Sequence, residues 1–167
     1  MMELIEPCET YLASYREAFE EFRAMGVSTY GLTDPDSCDV LEKFENYRLE
    51  RNLKPDRVGS HYFWLVDEEK GEFIGEIAIR HRLNEALSLR GGHIGYCIRY
   101  GCWGQGYATQ MLALGLEEAK KLGLSRVLVT CNDTNLASAR VMEKNGFQFQ
   151  DKVEVDGILH RRYWKTL

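Results

Sequence analysis

Apolar residues recur at helical spacing in the first third of the chain. One stripe, with steps of three or four positions, consists of Leu12, Tyr15, Phe19, Phe22 and Met25. A shorter stripe consists of Val40, Phe44 and Tyr47. This periodicity predicts two helices, the first ended by a glycine and the second started by the polar cluster from Asp36 to Asp39. The stretch between them, Thr29 to Pro35, is rich in turn-forming residues, as is typical of a loop that borders a substrate cleft.

The pattern changes near residue 61 and then favours strands. Tyr62 to Val66 is a run of β-favouring residues, a polar turn follows, and Phe73 to Ile79 completes a predicted hairpin. The next stretch, Arg82 to Gly92, is interpreted as a connection. His93 to Arg99 then predicts a third strand.

Strands and helices alternate in the second half. A Gly-rich loop leads to a helix with one apolar face, formed by Ala108, Met111, Gly115, Ala119 and Leu122. We predict further strands at 127–130, 147–155 and 158–164, and a helix at about 135–145. The last two strands flank Asp156-Gly157, a strong hairpin signal. This order predicts an α/β or mixed α+β fold around one mixed sheet, in a single domain spanning residues 1–167.

Length and charge narrow the classes of function. The 167 residues are 44 % hydrophobic and 28 % charged, which is typical of a soluble globular domain. The formal net charge is −5 and no basic run occurs. We expect no nucleic-acid partner, because that affinity comes mainly from basic side chains that release counterions. No apolar run approaches the roughly 20 residues of a membrane span, so we expect no membrane partner either.

The cysteines and the N-terminus point to a reducing compartment. The five cysteines are scattered, with no Cys-x-x-Cys pair and no metal-ligand spacing to the four histidines: Cys8, Cys38, Cys97, Cys102 and Cys131. The first residues carry acids where a secretory signal would carry lysines. We therefore expect a cytoplasmic protein with reduced thiols and no metal ion.

The segment from Trp103 to Thr109 is the first candidate for chemistry. It holds Gly104 and Gly106 and joins a predicted strand directly to a predicted helix. Glycines let the backbone approach a ligand closely, and the first helical turn offers unpaired N–H groups at the positive end of the helix dipole. The two features favour an anion site that a pyrophosphate would occupy. A tight turn built with glycines for steric reasons alone would show the same spacing.

Two other nucleotide-binding motifs fit this segment less well. A P-loop needs Gly-Lys-Ser or Gly-Lys-Thr, and no such triplet follows these glycines. A dinucleotide-binding fingerprint needs a third Gly or Ala where Thr109 stands, and it lies near the start of a βαβ unit rather than after a meander of strands.

A second set of residues surrounds the later helix. Asn135 would be its N-cap, Ser138 lies in its first turn, and Gly146 with Phe147 would end the helix and start the next strand. Spacing alone does not separate these structural roles from a role in binding.

Together, the two segments resemble the GNAT superfamily of N-acetyltransferases. Trp103 to Ala108 is similar to its Arg/Gln-x-x-Gly-x-Gly/Ala element, and Asn135, Ser138 and the residues from Lys144 to Phe147 are similar to its Asn…Ser…Lys-x-Gly-Phe element. The amino-acid sequences of both segments are most similar to the branch that contains ribosomal-protein N-terminal and spermidine acetyltransferases. The resemblance is strongest from Gly92 to Phe147.

The resemblance implies a fold and a place for the cofactor. The GNAT-like fold has a central, mixed, mostly antiparallel twisted sheet, splayed between two parallel strands and flanked by helices. Acetyl-CoA lies in the gap, which here would separate the strands at 93–99 and 127–130. The residues expected to bind it, through backbone or side chain, are Ile98, Arg99, Trp103, Gly104, Gln105, Gly106, Tyr107, Ala108, Thr109, Asn135 and Arg140.

The chemistry of acetyl transfer needs a base for the amine and an acid for the leaving thiolate. Many family members supply the acid as a Tyr at the position of Met142, and Ser138 is the substitute that the related branch suggests. The base stays open between His93, whose unperturbed pKa of roughly 6.5 suits the task, and Glu76. Tyr96 is expected to be core packing.

The resemblance implies an acyl-CoA-dependent N-acetyltransferase that acts on a primary amine of a small molecule or peptide by direct attack in a ternary complex. An idle acyl-CoA-binding or regulatory module is the alternative that Met142 favours. A dinucleotide-binding oxidoreductase would instead bind NAD and not CoA. The sequence does not name the acceptor amine, and a homodimer is one of the oligomeric states that it leaves open.

Overall fold

The computed structural model describes residues 1–28 and 31–167. Thr29 and Tyr30, at the start of the stretch expected to border a substrate cleft, lie outside the described residues. The strands are β1 Met2–Ile5, β2 Ser60–Asp67, β3 Glu72–Arg80, β4 Ile94–Ile98, β5 Arg126–Asn132, β6 Gln148–Val155 and β7 Ile158–Thr166. The α-helices are α1 Leu12–Ala24, α2 Val40–Leu49, α3 Glu85–Leu89, α4 Tyr107–Lys121 and α5 Leu136–Lys144.

The strands form two antiparallel sheets rather than one. The first has the order β1-β2-β3-β4 and the second the order β5-β7-β6. Within the described chain β4 and β5 share no ladder, and the sheets meet at an isolated bridge between Gly92 and Val129. The expected mixed α/β class with helices on the flanks is confirmed. The single sheet is replaced by two sheets with a gap between β4 and β5.

Helices cover both faces of the first sheet because β3 alternates its side chains between them. On one face α4 packs on β3 in a core that also includes Ile77, Met111 and Met142. On the other face α1 and α2 pack on β3 and β2 around Tyr15 and Trp64. The interior strand β3 therefore carries alternate residues into two separate hydrophobic cores.

Two short elements were not predicted. β1 pairs antiparallel with β2, from Met2 opposite Asp67 to Ile5 opposite Trp64. Four residues are too few to show a period, so this strand is determined by its partner. The helix α3 lies inside the stretch from Arg82 to Gly92 and is capped by Asn84, whose side chain accepts the N–H of Leu87 at 2.9 Å. Its five residues give no apolar stripe, so the expected connection between β3 and β4 contains a short helix that the sequence did not reveal.

The junction of the two sheets depends on one glycine. Gly92 is buried and has φ +63°, and a Cβ atom there would overlap the carbonyl oxygen of Leu128. Directly after it, the N–H of His93 donates to the same oxygen at 2.7 Å. The chain can approach β5 this closely only where no side chain intervenes, and beyond this point β4 and β5 are no longer paired.

Candidate active site

The loop before α4 leaves a row of backbone donors without partners. Gly106 is the N-cap of α4, has φ +82°, and provides no side-chain cap. In the described part of the chain, no hydrogen bond accepts the N–H groups of residues 104–109. A Cβ added at Gly104 or Gly106 would meet nothing within 4 Å, so the space in front of these donors is open. An open helix N-terminus of this kind binds anions through its N–H groups and its dipole.

Two larger side chains next to this loop are engaged by the protein itself. The indole N–H of Trp103 donates to the carbonyl oxygen of Ile98 at 2.8 Å, although the side chain is 51 % exposed. Arg99 donates to Glu21 at 2.8 Å and to the hydroxyl of Ser14 at 3.1 Å. The hydrogen bond with Glu21 raises the pKa of Arg99. The donors that this loop leaves open to an anion are therefore backbone N–H groups rather than these two side chains.

The start of α5 lies across the gap from β4. Asn135 caps the helix, because its Oδ1 accepts the N–H of Ser138 at 3.1 Å. Its Nδ2 has no partner among residues 1–28 and 31–167 and is free to donate to a ligand. Arg140, two residues beyond Ser138, is exposed and forms no ion pair within the same residues. Asn145 connects the end of α5 with α4, because its Nδ2 donates to the carbonyl oxygen of Thr109 at 3.2 Å.

Ser138 has a partner that the sequence did not reveal. Its Oγ lies 2.6 Å from the phenolic oxygen of Tyr96 on β4, so the two hydroxyls form one hydrogen bond across the gap. Burial raises the pKa of Tyr96 to about 12, although the bond with Ser138 lowers it. Tyr96 was expected to be core packing, and no spacing in the sequence relates positions 96 and 138.

Glu76 is a buried carboxyl group on the opposite face of the first sheet. It is 4 % exposed, and its Oε2 accepts the indole N–H of Trp64 at 2.9 Å. Burial raises the pKa of Glu76 to about 8, against the opposing effects of Trp64 and Lys43. Its Oε1 accepts no hydrogen bond in the described chain.

Aromatic rings lie near Glu76, and two side chains close to this carboxyl group contact Thr33. Burial and then the Glu76 charge raise the pKa values of Tyr15 and Tyr62. Tyr15 donates its hydroxyl to the carbonyl oxygen of Thr33 at 2.8 Å, and the ammonium of Lys43 donates to Thr33 Oγ1 at 2.9 Å. Thr33, in the described part of the expected cleft-bordering stretch, therefore contacts Tyr15 and Lys43, whose charges or rings lie near this carboxyl group.

His93 is held differently from the second candidate base. It precedes β4, is buried, and accepts the N–H of Leu128 at Nδ1 with a distance of 2.9 Å. A neutral ring with Nδ1 as acceptor carries its proton on Nε2. Burial, with Arg80 and Arg126 nearby, lowers the pKa of His93. The Nδ1 lone pair that a base would use therefore already accepts a hydrogen bond from Leu128 on β5 of the second sheet.

The register shows how these residues are arranged. Glu76 pairs with Cys97 and Ile77 pairs with Tyr96, so Glu76 and Tyr96 lie one step apart along the sheet but on opposite faces. In the described chain, β4 pairs with β3 along one edge only, and its other edge lies between the face that carries Glu76 and the face that carries Tyr96. Within the described residues no cluster of three or more His, Cys, Asp or Glu side chains could hold a metal ion.

Comparisons with known proteins give the family of this chain. Residues 7–148 match the family described as acetyltransferase (GNAT) domain. The chain belongs to this family. The GNAT chain is 27 % identical over 159 residues to GCN5-related N-acetyltransferase 6, chloroplastic, from Arabidopsis thaliana, which covers 90 % of this chain and 55 % of that protein. It therefore spans little more than half the length of this curated relative.

Solved structures share the fold of the GNAT chain at low identity. RimL, described as ribosomal L7/L12 alpha-N-protein acetyltransferase in complex with coenzyme A, has a TM-score of 0.71 at 16 % identity, covering 99 % of this chain and 94 % of that one. Microcin C7 self immunity acetyltransferase MccE, in complex with acetyl-CoA and AMP, has a TM-score of 0.71 at 15 % identity, covering 99 % and 92 %. No helix in the described residues has the length and apolarity to span a membrane.

Proposed function

We propose that this GNAT domain transfers an acetyl group from acetyl-CoA to a primary amine of a small molecule or peptide, by direct attack in a ternary complex. The observation that carries the proposal is the row of unpaired N–H groups at 104–109, which lies beside the gap between β4 and β5. Neighbours of the same fold, RimL and MccE, are described with coenzyme A and acetyl-CoA.

The residues around the gap fit a long, anionic cofactor. The donors at 104–109 would bind the pyrophosphate, and exposed Arg140 would contact a phosphate. Ile98 at the end of β4 and Arg99 directly after it, with Nδ2 of Asn135, would hold the pantetheine arm. Bound there, acetyl-CoA supplies an activated thioester next to the amine.

Glu76 is the base that we propose. Its Oε1 is free of hydrogen bonds in the described chain, whereas Nδ1 of His93 is occupied by Leu128. Glu76 would take the proton of the ammonium, directly or through a water, and leave the nitrogen lone pair free for attack. Ser138 would donate a proton to the thiolate sulfur as the carbon–sulfur bond breaks. None of the cysteines needs to carry the acetyl group.

The alternative is a domain that binds acyl-CoA without turnover. Met142, where many family members have a catalytic Tyr, is fully buried and cannot donate a proton. A regulatory module would keep the cofactor loop and lose the chemistry. The pair of hydroxyls at Tyr96 and Ser138 favours the enzyme, because it provides another proton donor at the gap.

A screen for amine-dependent release of CoA tests the proposal. We expect acetyl-CoA with at least one member of a library of polyamines, amino acids, aminoglycosides and peptide N-termini to release free thiol faster than acetyl-CoA alone. Calorimetry on the same preparation measures binding of CoA. Binding without release from any amine would support the regulatory module, and the absence of CoA binding would contradict both functions.

A further inference from the structure

The hydrogen bond between Tyr96 and Ser138 joins two elements that are far apart in sequence. Tyr96 is in the middle of β4, Ser138 is in the first turn of α5, and their oxygens are 2.6 Å apart. Tyr96 is a partly buried residue packed against the core formed with α4, and Ser138 is also half-buried. The pair therefore lies at the gap, on the side where the start of α5 approaches β4.

We propose that Tyr96 is the source of the proton that Ser138 delivers to the leaving thiolate. As the carbon–sulfur bond breaks, the Ser138 O–H transfers its proton to sulfur, and the Tyr96 O–H transfers its proton to Ser138 Oγ. Ser138 ends as a neutral hydroxyl, the CoA thiol is neutral, and the negative charge is on the phenolic oxygen. This inference rests on the proposed acetyl transfer.

The acidity of the two hydroxyls favours this order. An aliphatic hydroxyl does not titrate in the range where proteins ionise, so Ser138 alone would have to form an alkoxide. A phenol titrates near 10 when unperturbed, and burial raises the pKa of Tyr96 to about 12. Tyr96 is still the more acidic of the two. In this relay Ser138 is the group that contacts the thiolate, and Tyr96 is the group on which the negative charge ends.

A third titratable group, the Cys131 thiol, lies beside the pair. Cys131, on β5, is the titratable side chain that acts on Tyr96 besides Ser138. Burial raises the pKa of the Cys131 thiol most strongly. Arg161 and a side-chain hydrogen bond with Ser138 lower it, whereas Asp133 and Glu143 raise it. Cys131 is thus an uncharged thiol at neutral pH, and the side chain of Met142 from α5 is apolar. Tyr96 has the acidic hydroxyl nearest to Ser138.

Removing the hydroxyl tests the relay. We expect Tyr96→Phe to lower kcat at least about tenfold with acetyl-CoA and an amine from the screen, while the KM for acetyl-CoA stays within a factor of about two, because the loss is confined to the transition state. Ser138→Ala should cost about as much, and the double variant no more than the larger single loss. The matched control is Tyr163→Phe, which removes another core hydroxyl, one that donates to Glu143 at 3.3 Å, and should leave kcat unchanged.

A graded change in acidity distinguishes proton delivery from a structural role. Fluorinated tyrosines at position 96 keep the ring and the hydroxyl but lower the phenol pKa stepwise. We expect the alkaline fall of kcat to move to lower pH in the order of phenol acidity, whereas a hydroxyl that only anchors α5 would leave that limb in place. An unmoved limb, or full kcat in Tyr96→Phe, overturns the relay. A wild-type chain that releases no CoA with any amine overturns the proposed function and the relay with it, so the two failures are distinguishable.

Discussion

At the scale of single residues, the two candidate bases differ in what their free electron pairs contact. One oxygen of Glu76 accepts the Trp64 indole N–H, and the other accepts no hydrogen bond from the residues that the structure describes; burial raises the pKa of this carboxyl group to about 8. His93 uses Nδ1 to accept a backbone N–H from the second sheet. Both are buried and both lie near β4, but only the carboxyl group keeps an acceptor available for a substrate proton.

The pH dependence of the rate follows from this difference. Glu76 is a base only when it is ionised, so kcat/KM should rise with pH and level off above about 8, where its carboxylate form predominates. Glu76→Gln should remove this limb and lower kcat/KM about a hundredfold or more. The matched variant is His93→Asn, whose amide oxygen can accept the Leu128 N–H; it should keep the limb and most of the rate. Full activity in Glu76→Gln, or loss of the limb in His93→Asn, would reverse the assignment.

At the scale of elements, α4 and α5 begin in opposite ways. Asn135 satisfies an N–H of α5 with its own side chain, as the sequence predicts. Gly106 offers α4 no such cap, and its first donors are left for a ligand. The glycine thus leaves the first N–H groups of α4 open for the proposed cofactor. At the start of α5 Asn135 caps the helix, and its Nδ2 would be the group that contacts the cofactor.

Substituting the glycines at the two ends of α4 distinguishes an effect on cofactor binding from an effect of backbone strain. Gly106 has φ +82° and Gly123 has φ +87°, and neither has an atom within 4 Å of an added Cβ. Valine at either position meets the same conformational penalty, but only Gly106 faces the proposed pyrophosphate. We expect Gly106→Val to raise the Kd for acetyl-CoA at least about tenfold, roughly 1.4 kcal/mol. Gly123→Val should leave the Kd near the wild-type value, and equal affinities in calorimetry would refute the anion site.

At the scale of the whole molecule, the gap exists because two sheets touch at one end and separate at the other. Gly92 and His93 hold β5 at the touching end through Leu128. Beyond them β4 keeps pairing with β3, and β5 with β7, which leaves their facing edges free in the described chain. The opening that would receive the cofactor is therefore a property of the sheet pairing, and the junction sets its width.

Widening the junction should affect stability and binding together. An alanine at Gly92 would overlap the Leu128 carbonyl oxygen. The control is Gly157→Ala, at φ +79° with open space around it, which carries the left-handed strain alone. We expect Gly92→Ala to lower the free energy of unfolding by about 1–3 kcal/mol more than the control does, as over-packed sites do, and to weaken CoA binding. Urea denaturation and calorimetry measure both. Equal losses in the two variants would show that the close approach is not needed.

The sequence by itself determined the elements whose information is local. The apolar stripes of α1, α2 and α4 and the hairpin turn at Asp156-Gly157 were found where they were predicted, because each depends on neighbours within a few positions. The glycines before α4 and the cap Asn135 were identified for the same reason. Together with the order of the elements, they were enough to suggest the family.

Only the tertiary structure decided which distant groups meet. β1 forms because β2 offers an edge, and Tyr96 reaches Ser138 across 42 positions of chain. The burial that raises the pKa of Glu76, and the Leu128 N–H that occupies His93, come from elements packed later in the fold. Periodicity records which face of an element is apolar, but it carries no record of what lies opposite that face. Contacts, burial and proton affinity at this site therefore arise only when both sheets and the helices on their faces are assembled.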